Sequence, residues 1–222
     1  MNDDTASTTS IELFWIPLGA GARVVRLSGR VFEALSALWH RRAPCDLYHS
    51  ALTVTVPEGR YVIEMAPVID ADGCRRGVVA EGPVGATLAG RLRVFRYEIR
   101  RWRGGVIPDG GEARSVITVS DDPFAARQLL DLVPTVPTPV WGRDQLAAGE
   151  MWNSNSVTSW LLACSGIDLV HIAPPAGGRA PGWDAGLVVA ARMRPSPCDA
   201  DGERQRPRTC TRTQKPPVLS LR

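Results

Sequence analysis

The chain reads as an α+β domain in which an antiparallel sheet packs against a few helices, and three observations carry that reading. Residues 48–56 (YHSALTVTV) and 60–66 (RYVIEMA) form a β-rich pair around the turn residues Pro57, Glu58 and Gly59. Residues 151–166 (MWNSNSVTSWLLACSG) carry apolar positions at helical spacing and end on a glycine. Between these landmarks helices and hairpins mix without a regular strand–helix–strand alternation, which argues against a parallel sheet.

The elements follow in chain order. Residues 1–10 are polar and acidic and are expected to be disordered; residues 11–17 (IELFWIP) suggest a strand, which residues 24–27 extend after a glycine-bearing link. Ser28 is placed to cap a helix whose apolar positions Val31, Ala34, Leu35, Leu38 and Trp39 recur at helical spacing up to Pro44. The hairpin comes next, then a glycine-punctuated stretch over residues 70–90. Residues 91–103 (RLRVFRYEIRRWR) alternate and suggest an exposed, arginine-decorated strand, and residues 116–119 a further short one. Asp121 or Asp122 caps a helix with Pro123 in its first turn, running to about Leu132. A proline-rich link covers residues 135–139. After the helix ending at Gly166, residues 167–172 suggest a buried strand, residues 174–186 (PPAGGRAPGWDAG) a long loop and residues 187–191 an apolar segment. The expected organisation is one domain over residues 11–191, followed by a disordered Arg/Pro-rich tail over residues 192–222.

With 222 residues, 44% of them hydrophobic, the chain can bury one substantial core. Its formal net charge is only +3, and Lys215 is the single lysine. The arginine bias fits a GC-rich genome. The nearest candidate for the dense basic stripe with interleaved aromatics expected of a nucleic-acid binder is residues 91–103, which read first as a strand, so nucleic acid is not an expected partner. Cys45, Cys74, Cys164, Cys198 and Cys210 are odd in number and form no CxxC pair, so neither a disulfide framework nor a zinc site is expected. The N-terminus lacks a basic and an apolar signal region and no run reaches transmembrane length, so a cytoplasmic protein is expected. Neither of two GxG-like stretches has the dinucleotide fingerprint, and no cofactor is expected.

Three histidines can be weighed singly. His40 closes a helix beside Arg41 and Arg42, where it suits the C-terminal dipole. His171 lies in an apolar run, which suggests a structural residue. His49 opens a strand, where its side chain can face a cleft. Asn153-Ser154-Asn155-Ser156 supplies the other half of a possible site. A nucleophile at a helix start gains from the dipole and from unpaired N–H groups able to hold an oxyanion, although these residue types are also the preferred caps.

The order of these segments resembles the circularly permuted papain-like families of NlpC type, including lecithin:retinol acyltransferase-like proteins. There a histidine opens a hairpin strand, a polar residue sits on the return strand, and an asparagine-cysteine pair starts the nucleophile helix. His49 corresponds to the histidine, Glu64 to the polar residue, and Asn153-Ser154 to the pair, with Ser154 in the cysteine's place; the NSNS helix start and the PGWDAG loop would mark a branch of their own. The resemblance implies a permuted papain-like core over residues 11–191 and a nucleophile-bearing helix. It also implies hydrolysis or transfer of an amide, ester or thioester acyl group through Ser154 and His49, with Glu64 orienting the imidazole. Asn153, Asn155, Trp152 and Trp183 would line the groove.

Serine in a site built for sulfur lacks a thiol's easy ionisation, so His49 would have to take its proton during attack. Simple pairing about a Glu58-Gly59 turn sets Thr53 opposite Glu64, leaving Glu64 roughly 13 Å along the strand from His49. The alternative expectation is therefore an inactive papain-like domain that binds a peptide, lipid or small polar ligand.

Overall fold

The structure is a computed structural model and describes residues 9–18, 45–68 and 77–193. The expectations for residues 1–8, for the strand continuation at 24–27, for the helix ending near His40 and for the tail beyond 193 lie outside the described residues.

Six strands form one antiparallel path, in the order β4-β5-β3-β2-β1-β6. They are β1 (Ser10–Pro17), β2 (Asp46–Val56), β3 (Gly59–Pro67), β4 (Val78–Pro83), β5 (Arg96–Arg103) and β6 (Ser115–Ser120). A two-residue strand, β7 (Gly178–Arg179), lies parallel to the start of β2. Among the described residues there are three α-helices: α1 (Pro123–Leu132), α2 (Ser154–Cys164) and α3 (Trp183–Met193). The mixed α+β architecture and its antiparallel sheet are as the sequence suggested.

Period-2 alternation gives the sheet two unlike faces. On one, Leu13 and Trp15 of β1, Tyr48, Leu52 and Val54 of β2, Ile63 of β3 and Tyr97 and Ile99 of β5 meet the helices in the main core. Leu129 and Leu130 of α1 and Val157, Trp160 and Leu161 of α2 close that core from above. On the other, Phe14 and Ile16 of β1, Ala51 of β2 and Val62 of β3 join Ile107 and Ala113 in a smaller cluster. Buried charge also sits on this second side: Arg100 of β5 bridges Glu98 at 2.9 Å and Glu64 of β3 at 3.1 Å.

Local chemistry accounts for the element ends. Asp122 caps α1 by accepting from the amides of Phe124 and Ala125, with Pro123 at the first helical position where its missing N–H costs nothing. Gly166, at φ +80°, provides the left-handed stop after α2. The hairpin turns through Pro57-Glu58 and not Glu58-Gly59, because Val56 pairs with Gly59. Thr53 therefore lies opposite Val62, two residues away from the expected register.

Three further expectations are corrected. Only Arg96–Arg103 of the arginine-rich stretch is strand, and it is interior, hydrogen-bonded to both β3 and β4, with Arg100 just 4% exposed. Leu92 and Val94, whose alternation suggested the strand, sit in and beside two short 3-10 turns and face solvent. Residues 167–172 form no strand: Ile167, Leu169 and Ile172 tuck under the helices while Val170 and His171 stay exposed, so a loop with one inward side mimicked a strand's alternation. The apolar segment over 187–191 belongs to α3, whose buried Trp183, Ala185, Gly186, Val189 and Ala190 recur at helical spacing.

Small residues on that helix face set the distance between α2 and α3. A Cβ at Gly186 would stand 2.1 Å from Ser159 Oγ and 2.2 Å from the Ser156 carbonyl oxygen, and the latter is backbone that a rotamer change does not move. Gly186→Ala should therefore lower stability by about 1–3 kcal/mol despite its better helix propensity, read as a lower midpoint in denaturant unfolding; an unchanged midpoint would mean the helices do not touch there.

Candidate functional site

The start of α2 is the most densely bonded polar region among the described residues. Asn153 is the N-cap: its side-chain oxygen accepts from the amides of Asn155 at 2.9 Å and Ser156 at 3.4 Å. Ser156 Oγ accepts in turn from the Asn153 amide at 3.1 Å, closing a capping box. These bonds use the amides of Asn155 and Ser156, two of the first-turn donors that would otherwise be free to hold an oxyanion.

The same side chains reach outward and hold the Pro181-Gly182-Trp183 segment. Asn153 Nδ2 donates to the Pro181 carbonyl at 2.8 Å, Ser156 Oγ to the Gly182 carbonyl at 2.7 Å and Ser159 Oγ to the Trp183 carbonyl at 2.7 Å. Glu150 accepts from the Gly182 amide at 2.7 Å. Gly182 has φ +84°, and a Cβ there would lie 2.7 Å from the Asn153 carboxamide and from the Met151 carbonyl, so only glycine lets the loop come this close.

Asn155 links this latch to the sheet. Its Oδ1 accepts from Ser50 Oγ at 2.8 Å, and its Nδ2 donates to the Tyr48 carbonyl at 3.0 Å and the Pro181 carbonyl at 2.9 Å. At 2% exposure Asn155 is a buried carboxamide whose polar atoms are all matched by protein. Ser154, at 7% exposure, takes no part in this set of bonds.

Ser154 and His49 are not brought together. Ser50 points to α2 and Tyr48 belongs to the main core, so His49 between them projects from the opposite side of β2. Its cross-strand neighbour is Ile16, a member of the second-face cluster, and the β1–β2 register runs unbroken through this point. The sheet itself separates the imidazole from the start of α2. Burial pushes the His49 pKa down to about 4, so the ring is neutral near pH 7.

Glu64 does not orient His49. Its carboxylate pairs with Arg100, which also takes Glu98 through Nε at 3.1 Å and Nη2 at 2.9 Å. Burial works against the Arg100 charge, but the two carboxylates outweigh it and hold the guanidinium protonated. A carboxylate bonded to His49 would raise the imidazole pKa, whereas the only shift there is downward and comes from burial. The observed register extends to set Glu64 beside Ala51, roughly two residues or 7 Å along the strand from His49, and the β2–β3 pairing ends before that point.

The residues expected to line a groove are placed in packing and in hydrogen bonds within the protein. Trp152 and Trp183 are 2% and 8% exposed, with the Trp183 ring packed at a 48° tilt against Trp15, 5.0 Å between ring centroids. They fill the core, and Asn153 and Asn155 bind protein groups. Ser50 and Tyr48 were overlooked, although the alternation of Leu52, Val54 and Val56 marks the even-numbered side of β2 as the core side and so points to them.

No family model matches the chain, and no curated protein and no solved structure is significantly similar to it.

Two predictions follow from the bonding and burial of this region. Asn155→Ala strands the Ser50 hydroxyl and the Tyr48 carbonyl and should cost about 2–4 kcal/mol, measured by chemical denaturation; a change under the scatter of the fit would show that the latch does not hold β2 to α2. For His49 the folded pKa lies below the unfolded one, so the unfolded state binds the extra proton. Stability is thus complete above the unfolded value of 6.5 and falls as pH drops toward 4, by at most about 3 kcal/mol. His49→Gln should flatten the stability–pH curve in that window, and an equal slope in both proteins would refute the assignment.

Proposed function

We propose that this domain binds a ligand without turning it over, on a core of permuted papain-like type. The observation carrying this reading is the separation of His49 from the start of α2 by the sheet. The bonding of the NSNS segment supports it. Three of its four residues are used in tying the PGW loop and strand β2 to the helix, and the first-turn amides of Asn155 and Ser156 are already matched. What the papain-like arrangement contributes in this reading is a helix start seated against a hairpin strand, kept as a structural joint. The ligand class consistent with such a domain is a peptide, a lipid or a small polar molecule.

A second reading, hydrolysis or acyl transfer through Ser154, is favoured by one observation. Ser154 is the first residue of α2, and its side chain is not drawn into the latch. In that reading the base is not His49 in the described arrangement, and among the described residues neither Glu64 nor an imidazole stands behind the hydroxyl to take its proton.

The two readings separate cleanly with a fluorophosphonate probe and intact-mass detection on wild type, Ser154→Ala and His49→Ala, with an active serine hydrolase as positive control. The expected result is no adduct on any of the three. A single adduct on wild type that disappears in Ser154→Ala would overturn the binding reading in favour of the enzyme.

A further inference from the structure

Solitary exposed apolar side chains are ordinary on a protein surface, but a cluster of them is not. Leu88, Leu92, Val94 and Phe95 are 74%, 61%, 72% and 43% exposed and fall within eight consecutive residues. Two short 3-10 turns, Leu88–Arg91 and Arg93–Phe95, present them at the corner between β4 and β5. Neither turn contributes a buried residue. The corner is nonetheless anchored: Val84 donates to the Phe95 carbonyl at 2.8 Å, Gly90 packs on Pro83, and Arg143 Nε donates to the Gly85 carbonyl at 3.0 Å.

Charge completes the picture. Arg91 and Arg93 interleave with the apolar residues, are exposed, and pair with no carboxylate among the described residues. From residue 82 to residue 97 the chain has no Asp or Glu. Glu81, which precedes this span, is engaged with Arg96 at 3.0 Å. A corner with large exposed apolar side chains and guanidinium groups that meet no carboxylate among the described residues fits an interface that is negative at its surface and apolar just beneath. The geometry points to this corner, residues 88–95, as a site of peripheral contact with an anionic lipid surface. Leu88, Leu92, Val94 and Phe95 enter the headgroup–acyl boundary, and Arg91 and Arg93 contact lipid phosphates. This deepens the binding reading above and rests on it, naming the partner as lipid.

An acidic protein could satisfy the arginines. It would have to supply a preformed recess for four large apolar side chains spread over two turns, whereas a bilayer interface accepts exposed apolar side chains without one. Lipid is therefore the occupant the corner favours.

Full-length protein should be sedimented with vesicles of phosphatidylcholine alone and of phosphatidylcholine with phosphatidylglycerol. Wild type is expected to bind the anionic vesicles and not the neutral ones, with binding weakened by salt. Leu92→Ser combined with Val94→Ser, and separately Arg91→Gln combined with Arg93→Gln, should each weaken binding about tenfold or more. All four residues are exposed, so unchanged circular-dichroism melts are expected and serve as the folding check. Failure of wild type to bind anionic vesicles overturns the lipid proposal. So does binding that persists undiminished in both double variants, since it would then arise elsewhere, for example in the arginine-rich residues after 193. Self-association of wild type that is lost in the Leu92/Val94 variant, without vesicle binding, would reassign the corner as a protein interface. None of these outcomes touches the Ser154 adduct test, so the failure of each reading is seen separately.

Discussion

The arrangement of helices on this sheet depends on one buried carboxamide. Asn155, on helix α2, sits where strand β2 and the loop entering α3 converge on that helix, and it bonds directly to both. A carboxamide suits the position because it can donate twice and accept at the same time; a carboxylate could not donate, and an apolar side chain would leave the Ser50 hydroxyl and the Tyr48 carbonyl without this partner. From this point the rest follows in sequence. The cap at Asn153 fixes the direction of α2, Ser156 and Ser159 draw the chain past Gly182, and α3 can then lie against α2 only because Gly186 gives it room.

The parity of β2 decides the chemistry. A strand assigns neighbouring residues to opposite faces, so the hydroxyl that meets Asn155 and the imidazole next to it in sequence cannot serve one site. With the unbroken register to β1, no bulge is present to reverse that assignment near His49. The second face has a different character, with an ion triad of Glu64, Arg100 and Glu98 and a small apolar cluster around Ile16 and Val62. Buried ions of this kind are costly to break and weak as net stabilisers, which fits a role in fixing how β3 and β5 align. Glu64 and Arg100 are directly paired in the β3–β5 register, so the ion pair and the strand pairing demand the same alignment.

Much of the fold was legible because its signals are local. The Asp122-Pro123 start of α1, the Asn153 cap and Gly166 end of α2, and the β2–β3 hairpin each rest on residues a few positions apart. The failures have a common physical origin: a pattern was read as regular structure where tertiary burial set it. Residues 167–172 alternate because a loop turns one side to the helices, and residues 91–95 alternate without pairing at all. In α3, glycine and alanine hid a helix face, since small residues there serve close packing and carry little hydrophobic signal. The candidate site was legible only as an inventory. Asn153 and Ser154 were correctly placed at a helix start, but which face His49 occupies had to be read from Leu52, Val54 and Val56 further along the strand.

A histidine strand beside a capped polar helix start is therefore weak evidence for catalysis until the face is known. Asparagine and serine are the residues that bind backbone carbonyls and amides at helix ends, and a nucleophile's helix start needs the same types. What separates the two uses is the fate of the first-turn donors. A site for acyl transfer leaves N–H groups pointing into an open cleft, where they stabilise charge that develops during reaction. Here Asn153 consumes the donors of Asn155 and Ser156, and the loop carbonyls of Pro181 and Gly182 crowd the outward side chains. Recruiting the amides of Asn155 and Ser156 to an oxyanion beside that of Ser154 would require releasing the cap. Clearing the outward side would require releasing the loop, which would also free Asn155 from Pro181 and loosen the junction on which the sheet–helix packing depends. The polar residues at this helix start are thus committed to holding the fold, and that commitment competes directly with the preorganisation a catalytic serine would need.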